Sequence, residues 1–268
     1  MNRSIVHMDL DSFFVSCERL VDRRLNNRPV LIGGTSDRGV VASCSYEARE
    51  YGIHSAMPMK TARMLCPDAI VIRGDSGLYS KFSDMVTEIV KERSPLFEKS
   101  SIDEFYVDVS GMDKFFGTLQ WARELREKVI KETHLPISFG LSTSKTVAKV
   151  GTNEAKPNNF MEIIRGREIP FMAPLSIKKI PMVGSQTYRL LRSMGIEKVK
   201  TVQQMPMELM DRVLGKNGVV IWKKAQGIDN TPVVAWQERK SISLERTFEK
   251  DTTDVTKLKS LVVAMAEN

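Results

Sequence analysis

The sequence predicts an α+β fold: a ferredoxin-like β-α-β-β-α-β core that carries an insertion and is followed by an all-α module. Three observations predict this class. Apolar, β-branched strands alternate with long amphipathic helices in the order β-α-β-β-α-β within residues 4–143. Residues 13–76 interrupt that order after its first strand. From about Glu168 the segments become short helices separated by Gly and Pro.

The core elements follow from periodicity. "SIVHMDLD" reads as the first strand, and residues 78–95 carry apolar side chains at helical spacing. Residues 96–110 read as two strands with a turn before or at the acids of "SSIDEFYVDVS". A second amphipathic helix, 118–134, and a strand, 137–143, complete the order, and the chain then continues as a helix.

The insertion is predicted to be a small α/β unit. It begins with an amphipathic helix from "SFFVSCERL", for which Ser12 is the predicted N-cap. "RPVLIGG", "GVVASCS" and "AIVIRGD" are short strands bounded by glycines or turns. "YEAREYG" is a short helix that ends at Gly52, and "MKTARMLCP" is a helix closed by Pro67. Beyond the all-α module, "RKSISLERTFEKD" alternates as a strand and a helix begins near Val255.

The composition is that of an ordinary globular protein. The chain has 268 residues, 42% of them hydrophobic, which suits one large domain or two to three small ones. No apolar run approaches the roughly 20 residues of a membrane span, and the N-terminus is acidic too early for a secretory signal. Three cysteines without metal-type spacing fit a reducing cytoplasm.

The positive charge is concentrated in the second half of the chain. Residues 1–139 carry 19 Lys and Arg against 20 Asp and Glu, whereas residues 140–268 carry 21 against 13. Such asymmetry predicts a polyanionic partner for the second half, or else a solvated basic surface. Charge alone does not distinguish these alternatives.

Two acidic clusters indicate a metal site. Asp9 ends the first strand, and Asp103 and Glu104 begin one of its expected neighbours in the sheet. Successive strand residues point to opposite faces, so both hairpin acids can serve one site only if the turn re-aims one of them. Carboxylate-rich oxygen sites suit Mg²⁺ or Mn²⁺. The alternative is that such acids are solvated surface features, as Asp11 and Asp108 are interpreted here.

Other residues suit a bound phosphate. Tyr46 and Arg49 lie three apart on one face of a short helix, and Arg offers a bidentate fork to phosphate. Lys156 stands beside a Pro-Asn turn, where it could reach a phosphate as a point charge. Each is an ordinary surface residue when considered alone. A P-loop is excluded, because Lys145 stands at the position of its second glycine. His7, His54 and His134 are interpreted as structural or exposed.

Four motifs together resemble one family. "HMDLDSFFVSCE", "YEAREYGIHSAMP", "SIDEFYVDVS" and "AKPN" occur in the order and spacing of the Y-family DNA polymerases, of the bacterial translesion type. The resemblance runs from about Ser4 to the end of the chain. It implies a palm at residues 1–12 and 77–167, fingers at 13–76, a thumb at 168–239 and the start of a little-finger domain at 240–268.

The resemblance also implies the site. Asp9, Asp103 and Glu104 would be catalytic metal ligands for two Mg²⁺ ions, with Mn²⁺ as the alternative, and the Leu10 carbonyl would bind one of them. The reaction would be two-metal-ion nucleotidyl transfer from a dNTP to a primer 3′-OH, in DNA damage bypass. The residues that the resemblance assigns to nucleotide binding are Phe13, Phe14, Ser43, Tyr46, Arg49 and Lys156.

Within that set, Phe14 falls at the steric-gate position, where a ring excludes a ribose 2′-OH. Phe13 fits a packing role about as well as Phe14 does, so the choice between them rests on the resemblance. Ala42 would lie over the nascent base pair, where a small residue leaves room for damaged templates. Asn159 stands at a position that is often glycine, and asparagine tolerates a positive φ there.

The thumb resemblance rests on "IPMVGSQTYRLLRSMGI", which looks like a helix-hairpin-helix. Val183, Gly184 and Ser185 would contact a DNA phosphate through backbone N–H groups at the helix N-terminus. Met182 departs from the family pattern, which has glycine at that position. The expected partners are primer-template DNA and dNTP, with no membrane, and the protein is expected to be a monomer.

The end of the chain departs from the family as well. Only the opening of the little-finger domain is present, and the clamp-binding tail expected of the full-length protein is missing, so we expect a truncated polymerase. Its DNA affinity should be lower, because phosphate contacts are lost.

Two other functions share parts of this pattern. A nucleotidyl cyclase has the same core and paired acids, but cyclisation requires no grip on a duplex, so the Tyr46 and Arg49 helix and the basic thumb argue against it. A non-catalytic DNA-binding protein could keep the fold, but the intact Asp9, Asp103 and Glu104 argue against that alternative.

Overall fold

The structure, a computed structural model, describes residues 3–112, 117–235, 240–248 and 250–267. Contacts divide the chain into two units. The first unit comprises residues 1–20 and 76–236, and the second comprises residues 21–75 and 237–268.

The first unit is built on a five-stranded sheet with the spatial order β5-β6-β1-β7-β8. Its strands are β1 (Ile5–Leu10), β5 (Phe97–Lys99), β6 (Glu104–Asp108), β7 (Ile137–Ser142) and β8 (Phe160–Glu162). β1 pairs antiparallel with β6 and β7, β5 pairs antiparallel with β6, and β7 pairs parallel with β8. The first four are the strands of the predicted ferredoxin-like order, so the predicted fold class is confirmed. β8 is an additional edge strand that the periodicity did not predict.

Three long helices accompany this sheet: α4 (Ser76–Arg93), α5 (Thr118–Thr133) and α6 (Lys145–Ala155). α6 packs on β1 and β7, and glycine on β7 permits its close approach. A Cβ added to Gly140 would lie 2.1 Å from the carbonyl oxygen of Ala148. This face of the sheet also carries Asp9 and Glu104, so the packing of α6 decides what surrounds those acids.

The N-terminal helix α1 (Phe13–Val21) follows β1 directly. Its predicted side-chain cap is wrong. The Ser12 hydroxyl is buried and has no hydrogen-bond partner among the described residues, and Ser12 has a φ of 43°. The Ser16 hydroxyl instead donates to the carbonyl oxygen of Asp11, at 2.7 Å.

Short helices form the predicted all-α module, and they share one hydrophobic core with Val150 of α6. Asp229 joins the module to α6, because its Oδ2 accepts hydrogen bonds from the backbone N–H and the hydroxyl of Thr146. The helices are α7 (Glu168–Met172), α8 (Ser185–Ser193), α9 (Val199–Gln204), α10 (Met207–Leu214) and α11 (Lys216–Ala225).

The second unit has its own three-stranded sheet with the order β3-β2-β4. Its core includes the buried Leu31, Val41, Ile53 and Met59. Its elements are β2 (Val30–Gly33), β3 (Val41–Cys44), α2 (Tyr46–Glu50), α3 (Met59–Leu65), β4 (Ile70–Ile72) and α12 (Val255–Ala266). These bounds agree with the strands and helices predicted for the insertion and with the helix predicted near Val255.

The strand predicted from "RKSISLERTFEKD" is wrong for residues 240–248, which form no strand. Ile242 and Leu244, the apolar residues of its alternating pattern, are 85% and 54% exposed. A strand requires a hydrogen-bonded neighbour and a face to bury, and the described residues offer this segment neither. Arg239 and Glu249 of the predicted strand lie outside the described residues.

No helix in the described part of the chain is long and apolar enough to cross a membrane. Cys17, Cys44 and Cys66 are buried free thiols.

Candidate active site

Asp9 and Glu104 lie directly opposite each other in the sheet. They are paired in the antiparallel register of β1 and β6, so their side chains project from the same face. Asp103 precedes β6, in the turn, where its carbonyl oxygen accepts a hydrogen bond from Leu10 N at 3.0 Å. The Asp103 Oδ1 accepts a hydrogen bond from the Ser101 hydroxyl at 2.6 Å, and a site shared by Asp103, Asp9 and Glu104 stays a prediction.

Lys149 of α6 and Lys156, the C-cap residue of that helix, contact these acids. Lys156 Nζ lies 2.5 Å from Asp9 Oδ1, and Lys149 Nζ donates to both carboxylate oxygens of Glu104, at 2.7 and 2.6 Å. Lys149 and Lys156 are seven residues apart, which places them on one face of the helix. Within the described ranges, no three acidic, histidine or cysteine side chains converge closely enough to form a complete metal-binding cluster. Asp9 and Glu104 are each directed instead to a lysine ammonium.

The two paired carboxylates have opposite pKa shifts. Burial raises the pKa of Asp9 to about 7; Lys156 opposes the rise, and the charges of Glu104 and Asp103 add to it. Burial also pushes the pKa of Glu104 upward, but hydrogen bonds and charge from His7 and Lys149 outweigh it and hold that pKa below its usual value. Glu104 is therefore ionised at neutral pH, whereas the raised pKa leaves Asp9 partly protonated there even with the Lys156 ammonium beside it.

His7 lies beneath this pair as a buried neighbour of Glu104. Its Nδ1 is 2.8 Å from Thr152 Oγ1, and its Nε2 is 3.8 Å from Glu104 Oε2. Burial lowers the pKa of His7 to about 4, so the imidazole is neutral at neutral pH. The interpretation of His7 as structural agrees with full burial, and its contact with Glu104 was not predicted.

The two phenylalanines of the candidate gate differ in exposure. Phe13 is 3% exposed and belongs to the core, whereas Phe14 is half-buried. The Phe14 ring stacks on Tyr79, with ring centroids 4.3 Å apart and an interplanar angle of 12°. The Tyr79 hydroxyl donates to Glu18 Oε1 at 2.6 Å, which fixes the ring under Phe14. Phe14 is therefore the more exposed of the two rings.

Ser43, Tyr46 and Arg49 belong to the second unit. Ser43 lies on β3, and Tyr46 and Arg49 lie on α2, whose N-cap Ser45 accepts a hydrogen bond from Ala48 N. The Arg49 guanidinium lies over the Tyr46 ring, 4.7 Å from its centroid. Arg49 is exposed and Tyr46 half-buried, so the pair presents a cation and a phenol on one helix face.

In the thumb-like module, Gly184 is the N-cap of α8 and Ser185 is its first residue. Gly184 has no side chain to cap the helix, and Val183 is buried. Met182 has a φ of 83° and is 59% exposed. A positive φ at a residue with a Cβ is strained, which explains why the family pattern has glycine there.

The turn after α6 corrects one expectation. The positive φ occurs at Asn158, with a φ of 49°, and not at Asn159. Asn159 instead leads into β8: its carbonyl oxygen accepts from Phe139 N, and its Oδ1 accepts from Phe160 N. Asparagine at both positions therefore satisfies two different requirements.

The interpretation of Asp11 as a solvated surface acid is wrong, because Asp11 is only 1% exposed. Its Oδ2 accepts hydrogen bonds from the Ser138 hydroxyl and from Asn158 N, at 2.7 and 2.8 Å. Sequence reasoning also missed Lys149. The available signal was the spacing of Lys149, Thr152 and Lys156 on the face of one helix that follows a core strand.

Comparisons with known proteins identify the family. A family model described as "impB/mucB/samB family" matches residues 8–153, and one described as "DNA polymerase-iota, thumb domain" matches residues 178–229. The chain is 40% identical to a DNA polymerase IV of Dehalococcoides mccartyi over 267 residues, which cover 99% of this chain and 68% of that protein. This chain belongs to the Y-family DNA polymerases, of the DNA polymerase IV type.

Further relatives give the same assignment. A DNA polymerase IV of Clostridium perfringens is 37% identical over 268 residues, 99% of this chain and 75% of that protein. The crystal structure of DinB from Sulfolobus solfataricus superimposes with a TM-score of 0.78 at 27% identity, covering 87% of this chain and 69% of that one. The insertion ternary complex of Dbh DNA polymerase gives a TM-score of 0.76 at 27% identity, with 86% and 69% coverage. The activity class of the family is that of a DNA-directed DNA polymerase, and the family implies use of a divalent metal.

Proposed function

We propose that this Y-family chain adds dNTPs to a primer 3′-OH at the Asp9, Asp103 and Glu104 carboxylates, as a translesion polymerase. The observation that carries the proposal is the pairing of Asp9 with Glu104 across β1 and β6, beside Asp103 in the preceding turn. Asp9 and its two proposed partners come from segments more than ninety residues apart in the sequence, and the charges of Glu104 and Asp103 both add to the raised pKa of Asp9. Lys156, from the "AKPN" motif, contacts the same cluster.

The residues present fit a divalent ion. Asp9, Asp103, Glu104 and the Leu10 carbonyl supply oxygen donors, which Mg²⁺ and Mn²⁺ prefer. The raised pKa of Asp9 comes from a buried carboxylate beside two others, a penalty that a cation removes. We propose two Mg²⁺ ions, with Mn²⁺ as a substitute. Bound there, the ions would supply positive charge to the attacking 3′-oxygen and to the leaving pyrophosphate.

The charges of the cluster favour joint binding of metal and nucleotide. The three carboxylates carry three negative charges when ionised, and Lys149 and Lys156 together carry two positive charges. The remaining negative charge is small, so two divalent ions require further anionic ligands. A dNTP supplies these through its triphosphate, which also offers Lys156 a new anionic partner.

Residues that the family resemblance assigns would select the nucleotide. We propose that Ser43, Tyr46, Arg49 and Lys156 bind the triphosphate, and that the Phe14 ring excludes a ribose 2′-OH. Phe13 would support Phe14 from the core, because their ring centroids are 5.6 Å apart. Val183, Gly184 and Ser185 at the N-terminus of α8 would contact a phosphate of the duplex. The N–H groups of Val183 and Gly184 donate to the carbonyl oxygens of Ile180 and Met182, so Ser185 N would be the donor to the phosphate.

The domain roles follow from the same family. We propose palm, fingers and thumb functions for residues 1–12 with 77–167, 13–76 and 168–239, and a little-finger role for 240–268. The proposed partners are primer-template DNA and dNTP, together with the sliding clamp expected of a full-length polymerase of this type. We propose that the enzyme is monomeric and cytoplasmic.

The experiment is single-turnover extension of a primer-template by one dNTP in Mg²⁺, at low ionic strength. We expect Asp103→Asn and Glu104→Gln to slow incorporation by at least about 100-fold, since each removes charge from the reacting centre. Asp108→Asn is the matched control, because Asp108 lies on β6 at the opposite end of its pairing with β1 and caps Ser110 N. Equal rates for all variants and the wild type would refute the assignment of these carboxylates.

A further inference from the structure

Asn158, two residues after Lys156, is held in place from two sides. Its backbone N–H donates to the buried carboxylate of Asp11 at 2.8 Å. Its carbonyl oxygen and its side-chain Oδ1 both accept from Arg126 Nη2, at 2.7 and 2.6 Å. The turn that follows α6 is therefore clamped by Asp11, which follows β1, and by Arg126 of α5.

Both clamping residues are themselves anchored to the central sheet. Asp11 Oδ2 also accepts from the Ser138 hydroxyl on β7, and Asp11 N donates to the carbonyl oxygen of Pro136. Arg126 Nε donates to the carbonyl oxygen of Ile137 at 2.9 Å. The clamp thus ties the turn to the two residues that open β7.

A buried carboxylate at this position requires an explanation. Asp11 is 1% exposed, and burying a charge is costly unless hydrogen bonds and an opposite charge compensate. The Arg126 guanidinium provides the opposite charge, and the carboxylate holds two hydrogen-bond donors. Because Asp11 Oδ2 accepts from both the Ser138 hydroxyl and Asn158 N, the carboxylate links the turn to β7.

The clamp fixes the backbone from which the Lys156 side chain projects. The backbone N–H of Lys156 donates to Thr152 as the last bond of α6, and the chain then turns sharply. Asn158 has a left-handed φ of 49°, which requires stabilisation from its surroundings. Because α6 fixes the backbone before Lys156 and the clamp fixes the backbone after it, the Lys156 side chain projects in one direction. Its Nζ reaches Asp9.

We propose that Asp11 and Arg126 are positioning residues that hold Lys156 at the place where it binds the triphosphate of the incoming nucleotide. This inference rests on the proposed role of Lys156 in nucleotide binding. Fixing a charged side chain in advance lowers the cost of ordering it when substrate arrives.

The test is a double-mutant cycle on dNTP affinity, measured by pre-steady-state primer extension. We expect Asp11→Ala and Arg126→Met each to raise the apparent Kd for dNTP about tenfold, with a smaller change in the maximal rate. In a Lys156→Ala background, either substitution should change the apparent Kd by less than about twofold, because the residue through which it acts is gone.

The control variants distinguish an effect of a substitution on the fold from an effect on the position of Lys156. Asp108→Ala is the control for loss of a carboxylate from the same sheet, and its dNTP affinity should match the wild type. Arg126→Met keeps the aliphatic packing of α5, so it remains informative if Asp11→Ala fails to fold. Hydrogen exchange at the Asn158 amide should be faster in Asp11→Ala, since its acceptor is lost.

The outcomes distinguish the two proposals. If Lys156→Ala leaves dNTP affinity unchanged, the proposed role of Lys156 fails and the inference fails with it. If Lys156→Ala weakens dNTP binding but Arg126→Met does not, only the inference is overturned. Additive effects in the Lys156→Ala background would also overturn it, because they would show that the clamp acts on the fold in general.

Discussion

Lys149 holds both carboxylate oxygens of Glu104, at 2.7 and 2.6 Å, from the helix that packs over the central strand. An ammonium therefore occupies the same two oxygens that a metal ion would use. Lys149 is therefore a fixed counter-ion of Glu104 in the candidate site.

Lys149→Met should strengthen the binding of a divalent ion in the presence of dNTP. Removing a positive charge a few Å from the ion removes repulsion and frees Glu104, so we expect the Kd for Mn²⁺ to fall by about threefold to tenfold. Electron paramagnetic resonance of free Mn²⁺ measures the change. Lys128→Met, which removes a surface lysine paired with Glu92, is the control and should have no effect. Weaker binding in Lys149→Met would show that the lysine orients Glu104 instead of competing for it.

Asp9→Asn should stabilise the protein when metal is absent, and the gain should depend on pH. The pKa of Asp9 is raised from 3.8 to about 7 in the folded state, so its protonated form favours folding. The wild type keeps that contribution below about pH 4 and loses it as the pH rises to about 7. The difference in unfolding free energy should therefore grow across that window and level off above it, at on the order of 1–3 kcal/mol. Urea unfolding at pH 4, 6 and 8 with a chelator measures it, and a pH-independent difference would contradict the burial argument.

Phe14→Ala should admit ribonucleotides, because the partly exposed ring of the proposed gate is removed. The expected result is a large rise in rNTP incorporation relative to dNTP, in a primer-extension competition on one template. The fold should lose only about 1–2 kcal/mol, since the ring is half-buried.

Phe13→Ala is the contrasting variant. Phe13 is 3% exposed, and its truncation should cost about 3–5 kcal/mol of stability through the cavity it leaves. Its sugar discrimination should remain closer to the wild type. If Phe13→Ala, and not Phe14→Ala, admitted ribonucleotides, the two roles would have to be exchanged.

Met182→Gly should stabilise the chain by about 1 kcal/mol. The φ of 83° at Met182 is strained for a residue with a Cβ, and glycine removes that strain at a smaller entropic cost. Met194 is a matched control, since it is also about half exposed but has a φ of −95°. Thermal unfolding should show a higher Tm for Met182→Gly and a lower one for Met194→Gly. A lower Tm for both would mean that the Met182 side chain contributes packing that outweighs its strain.

Much of the fold could be predicted because the core strands and the long helices carry strong periodicity. The pairing of Asp9 with Glu104 followed from the ferredoxin-like order, which places the first strand beside the hairpin. The predicted strand at 240–248 failed because alternation alone does not supply a pairing neighbour. The Ser12 cap failed because the hydroxyl is buried beside the backbone of a tight turn, with a φ of 43°.

The parts of the site that sequence reasoning missed depend on contacts between distant elements. In the sequence, Asp11 is one more acid of an acidic motif. Its burial depends on contacts with the distant Ser138 and Asn158, which the motif does not predict. Lys149 belongs to no short motif from which its contact with Glu104 could be predicted. The close approach of α6 to β7 at Gly140 brings it to Glu104, and that approach is a matter of packing.

The central claim is that Asp9, Asp103 and Glu104 form one divalent-ion site. Its most direct test is titration of the chain with Mn²⁺ in the presence of primer-template and dNTP, with the wild type, Asp9→Asn, Asp103→Asn, Glu104→Gln and Asp108→Asn compared by electron paramagnetic resonance. Asp9→Asn, Asp103→Asn and Glu104→Gln should each weaken Mn²⁺ binding by at least about tenfold. Asp108→Asn should leave it unchanged. Wild-type Mn²⁺ binding in all four variants would contradict the central claim.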